Sequence, residues 1–112
     1  MSADLIYHVA LASDWAAAQS EGAYAVSTLG RSLADEGFIH ASRADQWAGV
    51  RARFYADVTE PLVLLVIDRA RLGAQVLDEA VPDSDETFPH VYGPIEVAAV
   101  VEVRALDPSD AQ

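Results

Sequence analysis

The only three histidines of the chain lie in apolar, strand-like runs: His8 in Leu5-Ile6-Tyr7-His8-Val9-Ala10, His40 in Gly37-Phe38-Ile39-His40-Ala41-Ser42, and His90 in Phe88-Pro89-His90-Val91-Tyr92-Gly93-Pro94. Histidine titrates near neutrality, ligates metals, and both donates and accepts hydrogen bonds. Histidines withheld from solvated stretches are therefore candidates for one shared site. In an extended segment, alternation puts Phe38, His40 and Ser42 on one face and Ile39 and Ala41 on the other. The same alternation gives His90 and Tyr92 a common face, in a segment stiffened by Pro89 and Pro94. His40 reads equally as a cleft residue and as a structural histidine, while Ser42 reads first as a helix N-cap. Tyr92 can pack its ring and still offer its hydroxyl to a partner. His8 taken alone is a core histidine bonded to backbone, and the other two histidines raise its standing only modestly. Asp78 and Glu79 close a short strand beside an acidic loop. A carboxylate there can be catalytic or ribose-binding, or it can be an ordinary solvated acid. The histidines and Glu79 also have the ligand types for zinc or iron, but no two histidines share a helix and no His-Glu-x-x-His pair occurs.

The elements that must position these residues follow from periodicity and punctuation. Leu5 to Ala10 reads as a buried strand, followed by a helix capped by Ser13, with Trp15 and Ala18 inward and Gly22 at its end. Tyr24 to Leu29 is extended or loop. Ser32-Leu33-Ala34-Asp35 has capping-box spacing, with Gly37 stopping that helix after about one turn. Phe38 to Ala41 is a short strand. Ser42-Arg43-Ala44-Asp45 resembles a second capping box, opening a helix to about Tyr55. Trp47, Val50 and Phe54 should face inward on it, with Arg43, Arg51 and Arg53 mostly solvated. Leu62 to Ile67, after Pro61, lacks alternation and reads as a central strand covered on both faces. Asp68 to Gly73 is a turn and Gln75 to Glu79 a strand. Val81 to Thr87 is an acidic, turn-rich loop, expected to be mobile. Val97 to Ala105 is a last strand alternating Glu102 and Arg104 against Val101 and Val103. The order is an α+β domain with split or mixed β-sheets and two or three helices. We expect one domain over residues 1–112, with its core over about 5–105 and a flexible tail at 107–112.

Composition narrows the function classes. An apolar fraction of 52% suffices for a core without staples, and the chain has no cysteine, hence no disulfide, thiolate metal site or cysteine nucleophile. A net charge of −11, from 18 acids and 7 bases, argues against nucleic-acid duplexes and anionic membrane surfaces. The longest apolar run is too short to span a bilayer and no leader pattern opens the chain, so a cytoplasmic protein with a small-molecule ligand is expected. Gly-rich phosphate loops, dinucleotide fingerprints and Gly-x-Ser-x-Gly elbows are missing.

Ile6-Tyr7-His8, Trp15, Gly37-Phe38-Ile39-His40-Ala41-Ser42, Leu62-Val63-Leu64-Leu65 and Phe88-Pro89-His90-Val91-Tyr92-Gly93-Pro94, in this order, resemble the bacterial domain of unknown function 952 family. The likeness runs from about Leu5 to Val103. That family's fold resembles the ADP-ribosyltransferase clan, in which a split β structure forms a cleft for NAD. Carried over by position, the resemblance implies that His8 is the first-strand residue touching ribose. Phe38, His40 and Ser42 fall on the second motif strand, and Glu79, or His90 with Tyr92, in the late position. It makes His40 and Glu79 the catalytic pair, with His8, Phe38, Ser42, His90 and Tyr92 binding ligand. NAD is the implied cofactor, no metal is expected, and the implied chemistry is transfer or hydrolysis at the nicotinamide–ribose bond. The chain lacks the clan's Ser-Thr-Ser strand and a Glu-x-Glu or Gln-x-Glu motif. A non-catalytic module binding a small molecule or peptide is the alternative.

Overall fold

The computed structural model describes residues 4–28, 31–81 and 85–106. Leu29, residues 82–84 of the expected acidic loop and residues 107–112 of the expected tail lie outside the described residues. The chain begins with β1 (Leu5–Leu11), α1 (Ala12–Glu21), β2 (Ala23–Tyr24), β3 (Val26–Thr28) and β4 (Arg31–Ser32). It continues through α2 (Leu33–Glu36), β5 (Ile39–His40), α3 (Trp47–Phe54) and β6 (Leu62–Asp68). After a 3-10 turn (Arg69–Arg71) come β7 (Val76–Ala80), β8 (Thr87–Val91), β9 (Ile95–Glu96), a second 3-10 turn (Val97–Ala99) and β10 (Val100–Leu106).

Two three-stranded antiparallel sheets organise this α+β domain, with strand orders β1-β6-β10 and β5-β8-β7. The pairs β2-β9 and β3-β4 form small ladders beside them. The first sheet is the middle layer. Ile6, Ala10, Leu65 and Ile67 face a cluster shared with Trp15, Ala18, Tyr24, Ile39, Val91 and Ile95. Val9, Leu62 and Leu64 face the other way, onto Tyr55, Leu106 and the inner side of α3. This accounts for the unbroken apolar run of β6, whose strand is central and covered on both faces as the sequence predicts.

Helix ends show where local signals held. Gly22 and Gly37 end α1 and α2 with φ of 90° and 85°, conformations that cost a side chain dearly. Ser32 and Asp35 form the expected capping box. Ser13, however, is no cap. The helix starts at Ala12 directly from β1, and the Ala12 N–H is already taken by the Pro61 carbonyl at 2.9 Å. Ser42 is no cap either, because its backbone N–H and C=O both pair with Tyr7 at 2.7 Å. Residues 43–46 make a turn instead, closed by Gln46 Oε1 accepting the Arg43 N–H at 2.9 Å, and α3 begins only at Trp47.

The inner face of α3 also differs from expectation. Arg51 is buried and Phe54 is 54% exposed. Trp47 and Val50 do pack inward, but Tyr55, one residue past the helix, fills the position that Phe54 was expected to take. On β10 the expected valine face is open: Val101 and Val103 are exposed, and the pairing with β6 has a register irregularity between Val100 and Glu102. Glu102 and Arg104 pair with each other at 2.8 Å.

Gly93 has a steric reason. A Cβ built there would lie 2.6 Å from the Ala74 Cβ. Gly93→Ala is expected to destabilise the domain by about 1–3 kcal/mol. Denaturant unfolding of Gly93→Ala, and of the same variant carrying Ala74→Gly, checks this. The second change should recover most of the loss, and a Gly93→Ala midpoint equal to wild type would refute the contact.

Candidate functional site

The second sheet turns one face to the core and presents the chemistry on the other. Register sets Ile39 against Val91, and both are fully buried in the core. It sets His40 against His90, Leu77 against His90 and Glu79 against Phe88. Directly opposed residues share a face, so Phe88, His90, His40, Leu77 and Glu79 stand together, joined by alternation with Phe38 and Tyr92. Pro89 in the middle strand is tolerated because β5 is so short. The Pro89 carbonyl accepts the Ala41 N–H at 2.9 Å, the proline returns no N–H, and β5 ends at His40. The chain then crosses to the first sheet at the Tyr7–Ser42 bridge.

On this face the polar groups form one chain. Tyr92 donates its hydroxyl proton to Glu79 Oε1, which also receives His90 Nδ1 at 2.9 Å. His90 Nε2 lies 3.3 Å from His40 Nδ1. Phe38 stacks on the His90 ring at 4.1 Å and lies 5.6 Å from Tyr92, while Phe88 is 5.1 Å from His40. His90 is thereby buried, whereas Tyr92 is 40% exposed and the Glu79 side chain 36%. The Tyr92 hydroxyl and then the His90 ring hold Glu79 below the usual carboxylate range. The same carboxylate pushes the Tyr92 hydroxyl up. Burial, with His90 adding to it, lowers His40 to about 4, so His40 is neutral at pH 7.

His8 stands behind the face. Its ring is buried on the core side of β1, with Nδ1 donating to the His40 carbonyl at 2.6 Å. The neutral ring then accepts from the Tyr24 hydroxyl through Nε2 at 3.1 Å. Burial lowers His8 to about 4 as well. On the other flank, Arg43 and Gln46 hold the start of β8, donating to the Thr87 carbonyl at 2.8 and 3.0 Å.

The DUF952 family, proteins of unknown function, matches residues 9–103. The chain belongs to the DUF952 family. The crystal structure of protein CC0527 from Caulobacter crescentus is similar: 31% identity over 93% of this chain and 87% of that one, with a TM-score of 0.80. The solution NMR structure of CC0527 matches over 92% and 84% at the same 31% identity, with a TM-score of 0.74. No curated protein matches.

In this DUF952 domain, five of the seven residues singled out by sequence meet on one face: Phe38, His40, Glu79, His90 and Tyr92. His8 reaches that group only through the His40 carbonyl, whereas the Ser42 backbone pairs with Tyr7 of the first sheet. Tyr24, Arg43 and Gln46 were missed. Tyr24 carries no local signal, and Gln46 lies inside what reads as a helix. Among the described residues, no group of three or more histidine, cysteine, aspartate and glutamate side chains is placed to hold a metal, and no helix is long and apolar enough to cross a membrane. A cavity of about 270 Å³ lined by Arg51, Tyr55, Val58, Thr59, Glu60 and Leu62 lies beyond the first sheet and contains none of the predicted site residues.

Proposed function

We propose that the face carrying Phe38, His40, Glu79, His90 and Tyr92 binds the nicotinamide–ribosyl end of NAD or a like N-glycoside and acts at its nicotinamide–ribose bond. The observation that carries this is Glu79, a half-exposed carboxylate kept ionised by Tyr92 and His90 and rimmed by aromatic rings. Its Oε2 takes no hydrogen bond from the described residues and is available to a ribose hydroxyl. Cleaving an N-glycoside develops positive charge at the ribose, which a fixed carboxylate stabilises. A cationic nicotinamide ring suits the exposed Tyr92 and the half-buried Phe38.

Charge favours this end of the molecule over its pyrophosphate. The chain carries −11, Arg43 is engaged with Thr87, and Arg69 pairs with Asp78 at 3.3 Å. This extends the ADP-ribosyltransferase-clan resemblance, placing Glu79 in the ribose role and making His40 its catalytic companion.

Thermal melting with nicotinamide riboside, NAD, ADP-ribose and nicotinamide tests it. Nicotinamide riboside at a hundredfold excess over Kd should raise Tm by roughly 10 °C. ADP-ribose should do less. No shift with any of the four would sink the proposal, and a shift without nicotinamide release over hours would leave a binding module.

A further inference from the structure

We propose that His40, His90 and Glu79 form a proton relay in which His40 Nε2 takes a proton from a water or ligand hydroxyl and His90 carries the resulting charge beside Glu79. The relay rests on the ligand face proposed above for its substrate, but the wiring is a property of the free protein.

With both imidazole rings neutral, the hydrogen-bond order sets the wiring. Glu79 is ionised and only accepts, so the proton between it and His90 Nδ1 belongs to His90. A neutral His90 then has a lone pair on Nε2. The 3.3 Å approach of His40 Nδ1 needs one proton between the two nitrogens, and it must come from His40. A neutral His40 with its proton on Nδ1 carries its lone pair on Nε2. No hydrogen bond from the described residues occupies that nitrogen, and His40 is only half-buried. His8 Nδ1 fixes the His40 carbonyl at 2.6 Å, and Phe88 flanks the ring, so the direction of the lone pair is set from both sides.

When Nε2 receives a proton, the ring need not keep the charge. The Nδ1 proton passes to His90 Nε2, leaving His40 neutral with its proton on Nε2 and His90 an imidazolium. That cation lies 2.9 Å from Glu79 and under the Phe38 ring. The charged groups facing the pair are Glu79 from β7 and Glu36 from α2, and both favour the added proton. Tyr92 is neutral and His8 stands behind the strand. In hydrolysis of a nicotinamide riboside, water loses its proton to His40 Nε2 and its oxygen lone pair forms the bond to ribose C1′. The C1′–nitrogen bond breaks, and its electron pair neutralises the departing nicotinamide. The relayed proton then returns to solvent. His40 is the catalytic residue in this scheme and His90 the positioning residue.

Nitrogen-15 NMR of the histidine rings in the ligand-free protein tests the wiring directly. At pH 7 His40 should be the Nδ1–H tautomer, with coupling across its hydrogen bond to His90 Nε2. On acidification a proton gained at His40 Nε2 should be matched, in the same step, by one gained at His90 Nε2. In Glu79→Gln, which keeps a carbonyl to accept from Tyr92 and His90, proton uptake at His40 in that step should weaken at least tenfold. An Nε2–H tautomer at His40, or proton gain at the two rings in separate steps that ignore Glu79→Gln, would overturn the relay whatever ligand binds. Failure of nicotinamide riboside to bind, with the relay spectrum intact, would overturn only the ligand.

Discussion

Between pH 6.5 and pH 4 the domain is expected to lose about 3 kcal/mol or more of stability through its buried histidines. His8 is 3% exposed and its pKa falls from 6.5 to about 4 on folding, first of all because burial penalises the imidazolium. The sign follows from proton counting. Between the two values the unfolded chain binds a proton that the folded chain refuses, so stability rises with pH across that window. The penalty is absent above 6.5 and complete below about 4. His40 shifts the same way, but its half-exposed ring is partly screened and adds less. Glu79, held low, contributes stability that is present above the usual carboxylate range and is lost only as pH falls through its own lower value. Against a total of about 5–15 kcal/mol, the His8 effect alone is a large fraction.

Acid also reduces the net charge of −11, and with it self-repulsion, which opposes the trend and makes wild type alone an ambiguous test. The comparison with His8→Gln isolates the effect. Denaturant unfolding from pH 7 to 4 should show a flatter dependence for the variant. Calorimetry of the wild type near pH 5 should show at least one proton taken up on unfolding. Equal slopes together with no proton uptake would mean that His8 is not held neutral between the His40 carbonyl and Tyr24.

The chemistry of the face was legible in the sequence one strand at a time. Alternation put His40 with Phe38 and His90 with Tyr92, and pairing kept both sets facing outward. Alternation cannot say which residue on one strand stands opposite which on another, because register is decided by turns and core contacts distant in the chain. His40 meets His90, fifty positions further along the chain, because Ile39 and Val91 share the core. Glu79 arrives from a third strand; its strand-end position reads equally as a site acid or a solvated one, and only the family likeness favours the former. The failures share one cause. Ser13 and Ser42 carry capping types, yet Pro61 and Tyr7 supply backbone partners from elsewhere and leave the caps nothing to do. Arg51 and Phe54 obey helical periodicity, but the helix ends at Phe54 and the following Tyr55 fills the core, which no window within the helix reveals.

Glu79→Gln should then lower nicotinamide release on the order of a hundredfold, while Tm in the absence of ligand falls only by the modest stability that the ionised carboxylate contributes. The substitution keeps the shape. A glutamine carbonyl can still accept from Tyr92 and His90, so the rings stay where they are and only the negative charge goes. Charge is what the proposed chemistry uses, both to meet the cation growing at ribose and to hold the relayed proton on His90. Tyr92→Phe removes one donor to Glu79 but keeps the carboxylate, so Glu79 should titrate closer to the ordinary carboxylate value and release should fall far less than in Glu79→Gln. The ordering matters more than either number. If the two variants were equally impaired, the Tyr92–Glu79 contact would be acting as a structural unit. If Glu79→Gln released nicotinamide at the wild-type rate, the carboxylate would have no part in the reaction and the face could not be its site.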